Sequence, residues 1–221
     1  MENYMNDYLT IALPKGKLFT ISKNLLHRVG LSADHLSEKS RKLVIENEDL
    51  KVRFIIAKTS DVPTYVEYGA ADIGIIGKDV LLESHKDVYE ILDLGFGKCH
   101  LMMAVPQKEK RRRLLDYSYT RVATKYPHIA ESFFARQGMQ MEYIKLNGSI
   151  ELGPIVGLSE SIVDIVETGT TLAENDLEEI AHILDVSARL IVNRVSFKLK
   201  FHRINEIVNN LRPIIESGEI L

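Results

Sequence analysis

The segment best suited to chemistry is DIVETGTTL, residues 164–172, which follows an apolar stretch and precedes a helix-like TLAEN segment. Its Thr-Gly-Thr-Thr turn lets main-chain N–H groups converge on an anion, and the next helix contributes the positive end of its dipole. A charge-assisted hydrogen bond there contributes about 1.5–3 kcal/mol, whereas the dipole contributes about 0.3–1 kcal/mol. The turn therefore predicts a phosphate site in which loop geometry dominates binding.

Two carboxylates, Asp164 and Glu167, lie beside this predicted phosphate site. Acidic side chains would repel a phosphate, but they suit sugar hydroxyls or a Mg²⁺ ion, because both favour acidic oxygen ligands. An ordinary capped turn with two solvated acids remains the alternative interpretation.

Lysines follow two of the predicted strands. Lys15 and Lys17 flank the flexible Gly16 in LPKGKL, between a strand and a helix, and Lys58 ends the strand VRFIIAK. Ligands of open α/β sheets commonly bind at the carboxyl ends of strands, so these positions suit polyanions. Solvated surface lysines are the alternative.

Hydrophobic periodicity predicts the elements that position these residues. Strands are predicted at 9–13, 43–47, 52–57, 73–77, 89–93, 99–105, 121–124, 141–146 and 161–166, with one long or bent strand at 177–192. Helices are predicted at 19–29, 60–69, 108–115, 127–137, 152–156 and 196–216. Strands separated by helices indicate an α/β fold with mostly parallel pairing.

Composition shifts near 95–97 and again after Asp185. They predict that a central segment, 96–184, forms a second lobe inserted into a first lobe made of 1–95 and 185–221. The second lobe would carry the phosphate turn.

Composition excludes several functional classes. A net charge of −3 argues against nucleic-acid binding, since a basic excess supplies most of that affinity. The lone Cys99 cannot form an internal disulfide, and there is no CxxC or HxxxH metal spacing, which favours the cytoplasm. No leader or spanning apolar run is evident, so no membrane association is expected. The P-loop pattern GxxxxGK[ST] does not occur, and no GxGxxG dinucleotide-binding pattern follows a strand. Nucleotide hydrolysis and hydride transfer therefore both lose support.

Two further features carry little functional weight. KEKRRR, at 108–113, is short, contains an acid and sits in an acidic chain, so a solvated helix start is favoured over a nucleic-acid patch. Cys99 and His100 lie in an apolar strand pattern, which favours a buried thiol beside a satisfied histidine over a nucleophile pair.

The turn resembles the phosphoribosyl-pyrophosphate (PRPP) loop of the ATP phosphoribosyltransferases, the first enzymes of histidine biosynthesis. The likeness extends to other blocks in the family's order: LPKGKL at 13–18, the segment 60–81, RVATKYP at 121–127, and NGSIELGPIVGLSESIVDIVETGTTL at 147–172. The chain length matches the short form of the family, which lacks the long form's C-terminal regulatory domain.

The resemblance implies two lobes similar to the periplasmic-binding-protein type II fold, with a cleft between them. It implies that ATP N1 attacks C1 of PRPP and expels pyrophosphate, with Mg²⁺ carried by the substrate phosphates rather than by a resident metal site.

The resemblance also assigns roles to residues. Those implied for PRPP binding are Asp164, Glu167, Thr168, Gly169, Thr170 and Thr171. Those implied for contacts with ATP and the leaving pyrophosphate are Lys15, Gly16, Lys17 and Lys58, although the family often has Arg at the last two lysine positions. Asp164, Glu167 and Lys15 are the expected catalytic residues. Glu151 matches an acidic position near the family's active site, or else caps a helix.

A regulatory subunit resembling histidyl-tRNA synthetase is the implied partner, in a hetero-oligomer, or the chain forms a homo-dimer. Two other functions remain open at this point. One is a non-catalytic small-molecule-binding or sensor domain of the periplasmic-binding-protein type. The other is a type I phosphoribosyltransferase that acts on a free base.

Overall fold

The computed structural model describes residues 8–31, 36–37, 42–109 and 113–218. The strands of this part are β1 (Leu9–Pro14), β2 (Val44–Asn47), β3 (Val52–Ala57), β4 (Ile73–Gly77), β5 (Tyr89–Asp93), β6 (Cys99–Pro106), β7 (Arg121–Thr124), β8 (Glu142–Lys145), β9 (Ser161–Val166), β10 (Leu177–Val186) and β11 (Ala188–Val192). The α-helices are α1 (Lys17–Arg28), α2 (Val62–Glu67), α3 (Lys78–Ser84), α4 (Pro127–Arg136), α5 (Leu152–Ile155), α6 (Thr170–Glu174), α7 (Arg194–Leu199) and α8 (Phe201–Glu216).

The chain divides into two compact units. The first comprises the residues up to Gly97 together with those from Ser187 onward, and the second is Lys98–Val186. The predicted lobes were 1–95 with 185–221, and 96–184. The boundaries of the units therefore lie at 97 and 186, against 95 and 184 in the prediction.

The first unit is built on a sheet with the strand order β2-β3-β1-β4-β11-β5. The central strand β1 runs parallel to both β3 and β4, and the remaining pairs are antiparallel. β1 and β4 are buried along their whole length, as near-continuous apolar strands covered on both faces must be. Helix α2 packs so closely on β4 that a Cβ at Gly74 would lie 2.8 Å from side-chain atoms of Val62 and Val66.

The second unit is built on a sheet with the order β10-β6-β9-β7-β8. β7 runs parallel to β8 and β9, whereas β6 runs antiparallel to β9 and β10. One face packs around the buried Phe134 of α4, and the other around Ile162, Leu172 and Ala123. This second face lies beneath the predicted phosphate turn.

The predicted α/β class is confirmed, but the prediction of mostly parallel pairing is wrong. Antiparallel pairs join β2 with β3, β11 with β4 and β5, and β6 with β9 and β10. A parallel pair needs a crossover of about a dozen residues or more. The turn between β2 and β3 is far shorter, so these two strands pair antiparallel.

The predicted long strand at 177–192 is two strands in different sheets, β10 and β11, separated at the buried Ser187. The Ser187 hydroxyl donates to Asp93 Oδ1 at 2.8 Å, which fixes the crossing point in the first unit. The final helix also divides into α7 and α8. The Asn193 side chain caps α7 by accepting from the main-chain N–H groups of Val195 and Ser196, so this helix begins before the predicted start at 196.

Two other predictions at the level of elements need correction. The predicted helix at 108–115 is represented by short 3₁₀ turns at Gln107–Glu109 and Leu114–Tyr117, while 110–112 lies outside the described residues. Helix α3 was not predicted, because its seven residues follow a Gly-ended strand directly and carry little apolar periodicity.

A buried ion pair ties the C-terminal helices to the first sheet. Asp72 accepts from Lys200 Nζ at 2.7 Å, from the main-chain N–H of Thr10 at 2.8 Å and from the Ser196 hydroxyl at 2.6 Å. Its carboxylate is satisfied on both oxygens, which is the condition under which a buried charge is tolerated. Within the described ranges, no helix is long and apolar enough to cross a bilayer.

Candidate active site

In the second unit, three connecting segments leave the same edge of the sheet. β7, β8 and β9 are parallel and in register, with Thr124 opposite both Lys145 and Val163. Their carboxyl ends therefore lie together, and each is followed by a segment that the sequence singled out: Lys125–Tyr126, 146–151 and 167–171. This is the edge at which open α/β sheets bind ligands.

The phosphate turn has the backbone geometry that anion binding requires. Gly169 adopts φ 76° as the N-cap of α6, a left-handed conformation that glycine adopts without steric cost. As a glycine, the N-cap residue has no side chain with which to cap the helix, so the first N–H groups of α6 receive no acceptor from it. Thr168 Oγ1 and Thr170 Oγ1 lie 3.1 Å apart on the exposed surface of the turn.

Buried apolar residues on both sides hold the turn in place. Val166 ends β9 and Leu172 lies in α6, and both join the cluster around Ala123 and Ile162. The Asn175 side chain donates to the Thr171 carbonyl at 2.8 Å and closes the far end of the short helix. The hydroxyl groups of the turn can therefore face solvent while the residues beside them anchor it.

Asp164 and Glu167 differ in their surroundings. Asp164 lies within β9, partly buried, and its Oδ1 accepts from the main-chain N–H of Ile165 at 2.8 Å. Glu167 follows the strand and is exposed. The structure thus places both carboxylates beside the turn, one held by the strand and one at the surface.

Glu151 occupies the N-cap position of α5, but its side chain makes no capping hydrogen bond. The helix-capping alternative is therefore not what the structure shows. The following glycine, Gly153, packs against β7, where an added Cβ would lie 2.8 Å from Ala123 Cβ and 2.7 Å from Ser159 Oγ. This close packing fixes the segment that carries Glu151 at the carboxyl edge of the sheet.

The lysines form a second group, in the first unit. β1 and β3 are parallel, and the main-chain N–H of Lys15 donates to the Ala57 carbonyl at 2.9 Å. The Thr59 hydroxyl in turn donates to the Lys15 carbonyl at 3.2 Å. These bonds join the turn that carries Lys15 to the turn that carries Lys58, and both lysine side chains are exposed.

Gly16 gives the lysine turn its shape. Its φ of 90° with ψ of −151° lies in a region that essentially only glycine occupies. The twelve-residue helix α1 starts directly after it, with Lys17 as its first residue and no acid in its first turn. Cations and main-chain N–H groups are therefore concentrated at this edge, as expected for a site that binds polyanions.

Three residues at or near these edges were missed by sequence reasoning. Lys125 follows β7 directly, as Lys58 follows β3, so its position after a strand could have marked it as a candidate ligand-binding residue. Its Nζ lies 5.6 Å from the centre of the Tyr126 ring. Thr59, next to Lys58, contributes a hydroxyl that only the fold brings to Lys15. Glu179 on β10 approaches the phosphate turn, and nothing in its sequence context indicates this.

In the segment RVATKYP, residues 121–127, Arg121 has a structural role. Arg121 starts β7 and forms a two-nitrogen ion pair with Glu160, with distances of 2.6 and 3.2 Å. Hydrogen bonding from the guanidinium lowers the pKa of the Glu160 carboxyl below its usual 4.5. The pair lies at the amino ends of β7 and β9, the opposite edge from the phosphate turn.

In the part of the chain that the structure describes, no group of three or more His, Cys, Asp or Glu side chains is arranged to hold a metal ion. The second unit carries a helix start with a glycine N-cap and two carboxylates, and the first unit carries a lysine-rich strand edge.

A model of the ATP phosphoribosyltransferase family matches residues 58–213, more than half of the chain. The chain belongs to this family. The ATP phosphoribosyltransferase of Desulfitobacterium hafniense (strain Y51) is 53% identical over 216 residues, covering 95% of this chain and 97% of that protein. The activity is accordingly that of an ATP phosphoribosyltransferase, a pentosyl transfer in the first step of histidine biosynthesis.

Solved structures agree with this assignment. The ATP phosphoribosyltransferase (HisG:HisZ) complex from Thermotoga maritima has a chain 33% identical, with a TM-score of 0.79, covering 95% of this chain and 99% of that one. The substrate-binding protein of an amino acid ABC transporter has a TM-score of 0.62 at 12% identity, covering 96% and 95%. This second likeness shows the fold alone. The predicted likeness to the periplasmic-binding-protein fold is thus confirmed, while the sensor and free-base alternatives are not favoured.

Proposed function

We propose that this ATP phosphoribosyltransferase binds PRPP through the turn 167–171 and transfers its phosphoribosyl group to N1 of ATP. The observation that carries the proposal is the start of α6, where Gly169 turns the chain in a left-handed conformation and has no side chain to cap the helix. The main-chain N–H groups there suit the 5-phosphate of PRPP, and the hydroxyls of Thr168 and Thr170 add donors.

Asp164 and Glu167 would bind the ribose hydroxyls. A carboxylate accepts hydrogen bonds from hydroxyl groups, and its negative charge also stabilises the positive charge that grows on the ribose ring as the C1–O bond lengthens. Asp164 is the better placed for this role, because the main chain of its own strand holds its carboxylate. Glu167 is exposed and adapts more readily to the substrate.

Lys15, Gly16, Lys17 and Lys58 would bind the phosphates of ATP and the departing pyrophosphate. Lysine acts as a point charge with rotatable donors, so it suits phosphate groups whose charge changes during the reaction. Gly16 exposes the main chain at the turn, and the hydrogen bonds through Lys15 and Thr59 keep the cations grouped. We assign a catalytic role to Lys15, because its main chain makes the hydrogen bonds to Ala57 and Thr59 that join the two lysine turns.

The chemical step needs no protein nucleophile. The N1 lone pair of ATP forms a bond to C1 of PRPP, while the electron pair of the C1–O bond leaves with pyrophosphate. The protein's contribution is to orient two highly charged molecules and to stabilise separated charge. Mg²⁺ would arrive on the substrate phosphates and neutralise the pyrophosphate. The two carboxylates beside the turn suit such an ion, because Mg²⁺ favours acidic oxygen ligands.

We also propose that the chain works with a regulatory subunit of the HisZ type, which resembles histidyl-tRNA synthetase, in the cytoplasm. The support for the partner is the Thermotoga maritima relative, whose solved structure is a HisG:HisZ complex. The single cysteine of the chain is consistent with a reducing compartment.

The decisive experiment incubates the chain with ATP, PRPP and Mg²⁺, with and without the regulatory subunit, and measures pyrophosphate and phosphoribosyl-ATP. Formation of both products in equal amounts supports the proposal. Substrate binding without pyrophosphate release would indicate a sensor. Pyrophosphate release with a free base but not with ATP would indicate a different phosphoribosyltransferase.

A further inference from the structure

One carboxylate outside the assigned site approaches the phosphate turn. Glu179 Oε1, on β10, lies 4.0 Å from the position that a Cβ on Gly169 would occupy. Glu179 is one-third exposed, and its carboxylate contacts a histidine side chain. A negative charge therefore stands next to the main-chain groups proposed to hold a phosphate.

That charge has a titratable partner. His100 Nε2 on β6 lies 3.6 Å from Glu179 Oε2, and both side chains are 33% exposed. A histidine changes charge near neutral pH, so the pair is neutral when the imidazole is protonated and carries one negative charge when it is not. The phosphate turn thus lies beside a group whose net charge depends on pH.

The strand register shows which other charged groups share this face of the sheet. Glu179 pairs with Ala104 and Asp164 with Met102, while Asp185 pairs with His100. Titratable side chains of this face include Asp164 from β9, His100 from β6, and Glu179, His182 and Asp185 from β10, with Arg121 from β7 and Glu142 from β8 on the other side of β9. The exposed Glu167 of the turn follows β9.

His182 and Asp185 form a second pair of the same chemistry. His182 Nε2 lies 2.8 Å from Asp185 Oδ1, and the His182 ring centre is 6.0 Å from that of His100. This pair is more exposed, with Asp185 at 88%, and no contact between it and the turn is observed. It provides a matched control.

We propose that His100 and Glu179 are positioning residues that set the affinity of the turn for the phosphate of PRPP. The inference rests on the proposed function of the turn. A bound phosphate repels the Glu179 carboxylate and attracts a protonated His100, so binding favours uptake of a proton by the pair. The pair does not touch the reacting atoms, and its effect belongs to PRPP binding rather than to turnover.

The test measures kcat and the KM for PRPP of the enzyme, with the regulatory subunit wherever activity requires it. The measurements are made at about pH 6 and about pH 8.5, on either side of the pH range in which histidine side chains ordinarily change charge. In Glu179→Gln, we expect the KM for PRPP to fall about threefold to tenfold at the higher pH, because one charge near a phosphate dianion acts with this strength in solvent. In His100→Gln, we expect a similar rise at the lower pH. In both variants kcat stays within about twofold of the unsubstituted enzyme.

Two further variants separate this role from a structural one. Glu179→Asp keeps the charge and is expected to keep the KM close to that of the unsubstituted enzyme. Asp185→Asn removes a carboxylate from the neighbouring pair and is expected to leave the KM unchanged. PRPP titrates in the same range, so each variant is compared with the unsubstituted enzyme at the same pH.

Three results would overturn the inference: an unchanged KM in Glu179→Gln at both pH values, an equal shift in Asp185→Asn, or a change confined to kcat. Absence of any PRPP-dependent activity in the unsubstituted enzyme would instead overturn the proposed function. Activity with unshifted KM values in these variants would overturn the charge inference alone.

Discussion

The two units present their candidate sites at the same kind of sheet edge but with different chemistry. In the first unit, exposed lysines surround a glycine turn at the ends of β1 and β3. In the second, a glycine-started helix presents main-chain N–H groups, hydroxyls and two carboxylates at the end of β9. Charged side chains on flexible stems adapt to varied polyanions, whereas fixed N–H groups select one phosphate in one position.

Substrate binding in the second unit should therefore be sensitive to backbone geometry, and substrate binding in the first unit to charge. The largest effect is therefore expected at Gly169. Gly169→Val places a β-branched residue at φ 76° and distorts the helix start. Loss of about 3 kcal/mol of hydrogen bonding to the phosphate would lower kcat/KM for PRPP about 100-fold. Steady-state kinetics with PRPP as the varied substrate measures this.

Gly157→Val is the matched control, because Gly157 has φ 72° in the same unit with nothing within 4 Å of an added Cβ. Both variants carry the same kind of strain, and only the substitution at Gly169 should reduce activity strongly. An equal loss of activity in the two variants would show that strain, rather than the turn, is responsible.

A smaller loss is expected from Asp164→Asn, which keeps the shape of the side chain but removes its charge. If Asp164 binds the ribose and stabilises positive charge there, kcat/KM should fall about 10- to 100-fold, the range for removing one charged hydrogen bond of about 1.5–3 kcal/mol. Glu142→Gln, at the amino end of β8 in the same sheet, is the control. Unchanged turnover and unchanged PRPP affinity in Asp164→Asn would refute the assigned role.

The lysine edge should respond more mildly and to a different substrate. Lys58→Ala is expected to raise the KM for ATP about tenfold, because one charged contact of about 1.5 kcal/mol is lost, and to raise the KM for PRPP by less, since Lys58 contacts PRPP only through its pyrophosphate. Lys198→Ala, an exposed lysine on α7, should leave both values unchanged. A larger rise in the KM for PRPP than in the KM for ATP would contradict the proposal that the lysine edge binds ATP and the turn binds PRPP.

The smallest effect is expected at the opposite edge of the second sheet. Arg121 lowers the pKa of Glu160, so the pair stabilises the fold above the usual pKa of 4.5, and this contribution is lost as the pH falls through the folded-state value. Both side chains are about 40% exposed, and solvent screening limits the contribution to about 0.2–1 kcal/mol.

Glu160→Gln should therefore lower the free energy of unfolding slightly at pH 7, and the difference from the unsubstituted protein should vanish in acid. Denaturant titrations at a series of pH values measure it. The KM values for both substrates should stay the same, since the pair lies away from the carboxyl edge. A shift in either KM would mean that the two edges of this sheet are not functionally separate.

The local parts of the fold were readable from the sequence. Apolar runs predicted β1, β3, β4 and β9 close to their observed bounds, because buried strands need nearly continuous apolar residues. The position of the Thr-Gly-Thr-Thr turn was also predictable, since Gly169 and the start of α6 lie where the pattern indicates. Its binding of phosphate stays a prediction.

Strand partners were not readable in the same way. Period-two alternation indicates which residues face the core, but it carries no information on which strand lies alongside or in which direction. Ser187 shows this, since a segment rich in Ile, Leu and Val on both sides of it hides the point at which the chain leaves one sheet for another.

Most of the buried strands, the Thr-Gly-Thr-Thr turn and the residue types at the ends of the strands could thus be predicted from the sequence, because these depend on neighbours along the chain. Only the tertiary structure decided the antiparallel pairs, the link from Thr59 to Lys15, and the approach of Glu179 to Gly169. These contacts join residues that are far apart in the chain, and they form only because buried strands and helices must pack together to remove their apolar surface from water.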